Sequence, residues 1–182
     1  MELKDTRDIA APRAEVWNAL LSAEVLKECV PGCQEMTGSA TDGFEAVVVQ
    51  KVGPVKATFK GAVTLSDIVE GESLTLSGEG KGGAAGFAKG GAQVTLADNG
   101  AGTTLTYDVD AKVGGKLAQM GSRIIDSFAK KMADQFFERF QNTVEGDAPE
   151  DTTPIEAVAE VATEVAAEAA PKKGLLKRIF GG

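Results

Sequence analysis

Cys29 and Cys33, in Cys29-Val30-Pro31-Gly32-Cys33, have the C-x3-C spacing of a thiol pair or of half a metal site. Neither chemistry finds partners elsewhere in the chain. There is no histidine and no second cysteine pair, so a tetrahedral zinc site lacks ligands. The same absence removes His-based general acid–base catalysis and the Ser–His and Cys–His nucleophile pairs. Two thiols are too few for a disulfide framework, and a redox role would need a partner group that the sequence does not show. Glycine is the next candidate, because Gly78–Gly91 carries patterns similar to phosphate-binding loops. That stretch joins two strand-like runs and opens no helix, which argues against a P-loop or dinucleotide site. Its better account is a loose hairpin at the mouth of the domain with Phe87 as an apolar tip; Phe87 folded back on the core as a rim residue fits equally well.

Charge divides the chain into three. The net charge is −8, which argues against nucleic acid as main partner, since phosphate neutralisation needs clustered Lys and Arg. Residues 145–171 contain acids and no cation, whereas residues 172–182 contain Lys172, Lys173, Lys177 and Arg178 and no acid. On a helical projection Leu175, Leu176, Ile179 and Phe180 fall on one side of that end and Lys177 and Arg178 on the other, as in a segment lying in a membrane interface. A frayed terminus and a docking peptide for a protein groove are the competing readings. Glu156, Glu160, Glu164 and Glu168 repeat at four-residue steps in the acidic stretch, where like charges oppose helicity, so a frayed helix or flexible tether is expected. The first residues, Met1 to Asp5, lack a charged-then-apolar signal pattern, and no run approaches the roughly 20 apolar residues of a membrane span. A cytoplasmic protein, peripherally attached to the inner face of the membrane, is the expectation.

The elements that position these groups follow from periodicity. Met1–Ile9 reads as a strand. Val16, Trp17, Leu20 and Leu21 form an amphipathic stripe after Pro12, and a short helix over about 23–29 stops at Pro31-Gly32. From Cys33 to Val113 the period is two: Val55, Ala57, Phe59, Gly61, Val63 and Leu65 alternate with polar residues, and Leu105, Tyr107, Val109, Ala111 and Val113 do the same. Turn signals at Asp42-Gly43, Gly53-Pro54, Glu70-Gly71, Gly82-Gly83 and Asn99-Gly100 separate about six strands, seven with the first. The period returns to 3.6 over about 115–144, with Leu117, Ile124, Phe128, Met132, Phe136 and Phe140 as the main stripe and Ile125, Ala129, Ala133 and Phe137 beside them, a wide apolar face. The fold class is α+β, a curved antiparallel sheet wrapped on a long C-terminal helix, with two short helices after strand 1.

The inward parity of that sheet is unusually small: Ala57, Gly61, Gly78, Ala88, Gly90 and Ala92. Opposite large helix side chains, it leaves either a close-packed helix or an internal hydrophobic cavity; glycines marking bulges and twist in a curved sheet are the other reading. The expected lining takes Trp17 and Leu21 from the first helix and Phe59, Phe87, Gly90 and Tyr107 from the strands. Met120, Ile124, Phe128 and Met132 complete it from the long helix. Filling the space with leucine at Gly90 is expected to disable a carrier and nothing else.

Val16-Trp17, Leu20, Leu26 and Cys29-Val30-Pro31-Gly32-Cys33 together resemble the N-terminal signature of the carbon monoxide dehydrogenase CoxG family, in the START-like helix-grip superfamily. The resemblance covers about residues 1–144, and the acidic linker with its basic-apolar end is similar to that family's C-terminal extension. It implies an internal cavity between sheet and long helix and a non-enzymatic accessory role to a molybdenum-containing carbon monoxide dehydrogenase. Such proteins are associated with bringing the enzyme to the cytoplasmic membrane, where electrons enter the quinone pool, so menaquinone or ubiquinone is the implied lipophilic ligand. The domain plan is then 1–144 for ligand binding, 145–171 as linker and 172–182 as anchor. Two functions follow, a carrier of a quinone or similar lipid and a membrane tether without ligand. An enzyme of the superfamily would rest on fold analogy alone.

Overall fold

Along β4 (Val55–Val69) every second residue from Val55 to Leu65 is half-buried and the residues between are exposed, as alternating apolar and polar side chains dictate. The computed structural model describes residues 1–146; the expected linker beyond Gly146 and the expected anchor at 172–182 lie outside the described residues. The other strands are β1 (Glu2–Ile9), β2 (Cys33–Ser39), β3 (Gly43–Val52), β5 (Ser73–Lys81), β6 (Phe87–Asp98) and β7 (Thr103–Gly114). They form one antiparallel sheet of order β1-β7-β6-β5-β4-β3-β2, a meander in which the first strand closes against the last.

Two short helices, α1 (Arg13–Leu20) and α2 (Ala23–Cys29), follow β1. Pro12 starts α1, its carbonyl accepting from the Glu15 and Val16 N–H groups, and the Ser22 hydroxyl caps α2 by accepting from the Val25 N–H at 3.4 Å. The long helix α3 runs Ser122–Glu145, so it starts later than the periodicity predicts. Gly115 and Gly121 adopt φ of +73° and +86°, outside the helical region, and between them Ala118–Met120 forms a single 3-10 turn. Leu117 and Met120 therefore belong to this connection and not to the helix.

The buried face of α3 draws on both rows of the expected stripe and leaves out its first main-row member in the helix. Ile125, Phe137, Phe140 and Val144 are buried, whereas Ile124 is 43% exposed. A row stepping by four residues advances 400°, so it drifts about 40° per step around a helix of 3.6 residues per turn. The core consequently divides in two. Phe137, Phe140 and Val144 pack with Trp17, Cys29 and Leu105 in a large cluster, and Ile125 packs with Val52 and Leu117 in a small one.

Candidate functional site

Between the two apolar clusters the sheet carries small residues. On β4, Leu65 belongs to the large cluster and Phe59 to the small one, with Gly61 and Val63 between them. On β7, Tyr107 and Val113 occupy the same two positions with Ala111 between. Register brings these gaps together, because Gly61 pairs with Gly80, Gly80 with Ala88, Gly78 with Gly90 and Gly90 with Ala111. The result is an open cleft of about 420 Å³ over a floor of nearly bare backbone. Val63, Leu76 and Val109 border it from the sheet, and Val30, Met36 and Val48 come from the side of α2, β2 and β3. Glu79, Lys89 and Asp110 also adjoin the cleft but occupy the alternate, outward parity of their strands, so their main chain meets it.

The signature around Cys29 builds one wall. Gly32 has φ +74°, and a Cβ there would stand 2.2 Å from the Val49 carbonyl oxygen, so only glycine lets the turn approach β3 this closely. The Gly32 carbonyl accepts from the Val49 N–H at 2.9 Å, and the Gln50 side-chain amide donates to the Pro31 carbonyl. Val30 is thereby held against the cleft. Cys29 is fully buried with its Sγ 4.0 Å from Thr143 Oγ1, while Cys33 is half-exposed and donates to the Glu35 carbonyl; both are free thiols. Burial pushes both thiols up from their ordinary range, so thiolate becomes available only as the solution turns more alkaline. Maleimide labelling counted by mass should therefore add one group to the native protein, at Cys33 and faster with rising pH, and two after unfolding. Native labelling of Cys29 would contradict the packing of α2 on α3.

Of the expected lining, Phe59 and Gly90 are in the cleft. Trp17 and Tyr107 are instead core residues of the large cluster, with Leu21 packed at its margin. Tyr107 stacks on Phe137 at 4.8 Å, and Arg7 lies 5.6 Å from the centre of the same ring while pairing with Asp5 and Asp134. Met120 and Phe128 pack on the small cluster, Met132 is half-buried, and Ile124 projects near the β3–β4 turn, so none of the four expected from the long helix lines the cleft. Phe87 is corrected outright. It pairs with Gly114 on the outward parity with Lys89 and Lys112, and its ring covers Gly114, so it is neither at the cleft mouth nor folded into the core. The missing members Gly80, Val109 and Ala111 were legible as strand parity, but Val30, Met36 and Val48 depend on β2–β3 pairing, where the register slips between Cys33 and Glu35.

Among the described residues no group of acids and cysteines is placed to hold a metal ion, and no helix is long and apolar enough to cross a membrane. The family profile for CoxG, the G subunit of carbon monoxide dehydrogenase, matches residues 6–145. The chain belongs to the CoxG family. Membership relates it to the accessory subunit of carbon monoxide dehydrogenase, and it places the Cys29–Cys33 turn and the cleft within the family-matched region. Solved structures share the CoxG-family fold seen here. A conserved protein from Geobacillus kaustophilus is 26% identical with a TM-score of 0.75, over 80% of this chain and 96% of that one. An uncharacterised protein from Rhizobium leguminosarum is 16% identical (TM-score 0.63, 81% and 95% covered), and one from Thermus thermophilus is 13% identical (TM-score 0.62, 82% and 100% covered). No curated relative matches the sequence.

Proposed function

We propose that this CoxG-family chain is a non-enzymatic accessory protein of carbon monoxide dehydrogenase that carries an isoprenoid quinone, or a lipid of similar shape, in the cleft between its two apolar clusters. One observation carries the reading. Gly61, Gly78, Gly80 and Gly90 meet across three strands and leave about 420 Å³ where a core would otherwise be filled. Protein interiors normally pack to crystal-like density, and small-molecule sites occupy about 300–1,000 Å³ behind mostly apolar walls. A glycine floor suits a flat ring, which can lie directly on backbone, while Phe59, Leu76 and Val109 offer apolar edges to a prenyl chain. The outward parity of Glu79, Lys89 and Asp110 makes recognition depend on shape and apolar contact rather than on charge.

In this reading the family's enzyme delivers electrons toward the quinone pool and the carrier moves the lipophilic acceptor between enzyme and cytoplasmic membrane. Lys172 to Phe180 supply a reversible anchor on the inner face through their cations and apolar side chains. Organic extraction of the purified full chain, followed by mass spectrometry and by equilibrium titration with menaquinone and ubiquinone, tests the carrier. A stoichiometric prenyl quinone or saturable uptake is expected. If extract and titration are both empty, the carrier is abandoned and the ligand-free tether to the dehydrogenase remains.

A further inference from the structure

The antiparallel meander sorts charge to opposite ends of the domain. The β3–β4 turn, the β5–β6 turn and the connection from β7 into α3 lie at one end. The segments that build this end, residues 51–60, 80–90 and 111–125, hold Lys51, Lys56, Lys60, Lys81, Lys89, Lys112, Lys116 and Arg123, against Glu79 just before the second segment, which pairs with Lys81 at 2.9 Å. The three turns at the other end, residues 39–45, 66–73 and 97–103, hold Asp42, Glu45, Asp67, Glu70, Glu72 and Asp98 and no cation. Although the chain's net charge is −8, its described residues present a cationic pole. Lysines even face one another across strands there, Lys51 opposite Lys56 and Lys89 opposite Lys112, an arrangement that costs the fold stability. Large apolar side chains are exposed at both poles, Phe87 and Ile124 at this one and Ile68 and Val69 at the acidic one, but only here do they stand among cations. The cleft reaches it too, since Gly80 and Ala88 line the cleft beside the β5–β6 turn.

We infer that this pole is a membrane-docking surface of the folded domain, separate from the C-terminal segment, and that its partner is an anionic phospholipid bilayer. Lysines attract the leaflet, and Phe87 and Ile124 enter its interfacial region. The acidic pole is repelled by the same leaflet, so the domain lands in one orientation, with the cleft's near end toward the lipid. Cations with apolar tips distinguish this surface from a plain solvated face, which would gain nothing from Phe87 and Ile124. The docking does not depend on which ligand the cleft takes, or on its taking one.

The test uses the full chain with vesicles of phosphatidylglycerol and phosphatidylcholine, against phosphatidylcholine alone, in a sedimentation assay at low salt. Reversing Lys172, Lys173, Lys177 and Arg178 to Glu removes the terminal cations and should leave measurable binding to the anionic vesicles only. Adding Lys56→Glu, Lys112→Glu and Lys116→Glu should lower that remainder about tenfold or more. The first two of these convert like-charge pairs into opposite-charge pairs, so thermal stability should hold or rise, which separates lost docking from lost folding. Phe87→Ser with Ile124→Ser should weaken binding at unchanged salt dependence. Absent binding after the terminal reversal, or binding indifferent to the lysine substitutions, overturns the proposal. So does a result in which those lysines matter for dehydrogenase association and not for vesicles, which would assign the pole to an acidic protein surface.

Discussion

Gly80→Leu is expected to lower ligand occupancy at least about tenfold while the protein folds as before. A Cβ at Gly80 meets nothing within 4 Å, its φ lies outside the left-handed region, and its pairing with Gly61 and Ala88 aims the new side chain into the cleft. Tenfold corresponds to only about 1.4 kcal/mol of binding, well below what excluding a ring from a filled cleft would cost. Leucine at Gly90 behaves differently, contrary to what the sequence suggests. Its Cβ would stand 2.1 Å from the Asp110 carbonyl oxygen and 2.7 Å from the Ala111 Cα, both backbone of β7, so the sheet itself must part. The expected cost exceeds the about 1–3 kcal/mol of ordinary overpacking. Quinone content after extraction and the thermal midpoint, measured on both variants, separate the two effects. A Gly80→Leu protein that folds and retains ligand at the parental level would remove the cleft as the binding site.

Phe140→Ala should cost about 3–5 kcal/mol, a large part of the about 5–15 kcal/mol that holds a domain together. Phe140 is fully buried, sits in the large cluster with Trp17, Cys29 and Leu105, and stacks on Phe136 at 5.7 Å. The matched control is Ile124→Ala, one residue from the buried Ile125 but 43% exposed, where about 0.5 kcal/mol or less is expected. Urea unfolding monitored by circular dichroism reads both from the midpoint at constant slope. Equal costs at the two positions would mean that Ile124 is packed as deeply as Phe140, contrary to its exposure.

Much of this architecture was readable because strand alternation is local. Each residue of Val55–Leu65 faces the core or solvent according to its own parity, and the turn glycines announce themselves through their neighbours. The same parity exposed the small residues Gly61, Gly78, Ala88, Gly90 and Ala92, which line the cleft, and Ala57, which does not. Helical position was less legible. A 3.6-residue period fits several adjacent rows, so which row is buried depends on the sheet beneath it, and the start of α3 was hidden by Gly115 and Gly121, whose positive φ is invisible to periodicity.

By itself the sequence determined the seven-stranded meander, the long closing helix and the small-residue sheet face. Tertiary structure alone decided that the core breaks into two clusters, that Tyr107 fills one of them instead of lining a cavity, and that Phe87 points away. It also decided that lysines far apart in the chain share one pole. The physical reason is common to all of these: each depends on which strands lie side by side and in what register. A strand's parity is a property of its own backbone, whereas a gap, a clash such as Gly90 on Asp110, or a charged pole exists only between segments that pairing has brought together.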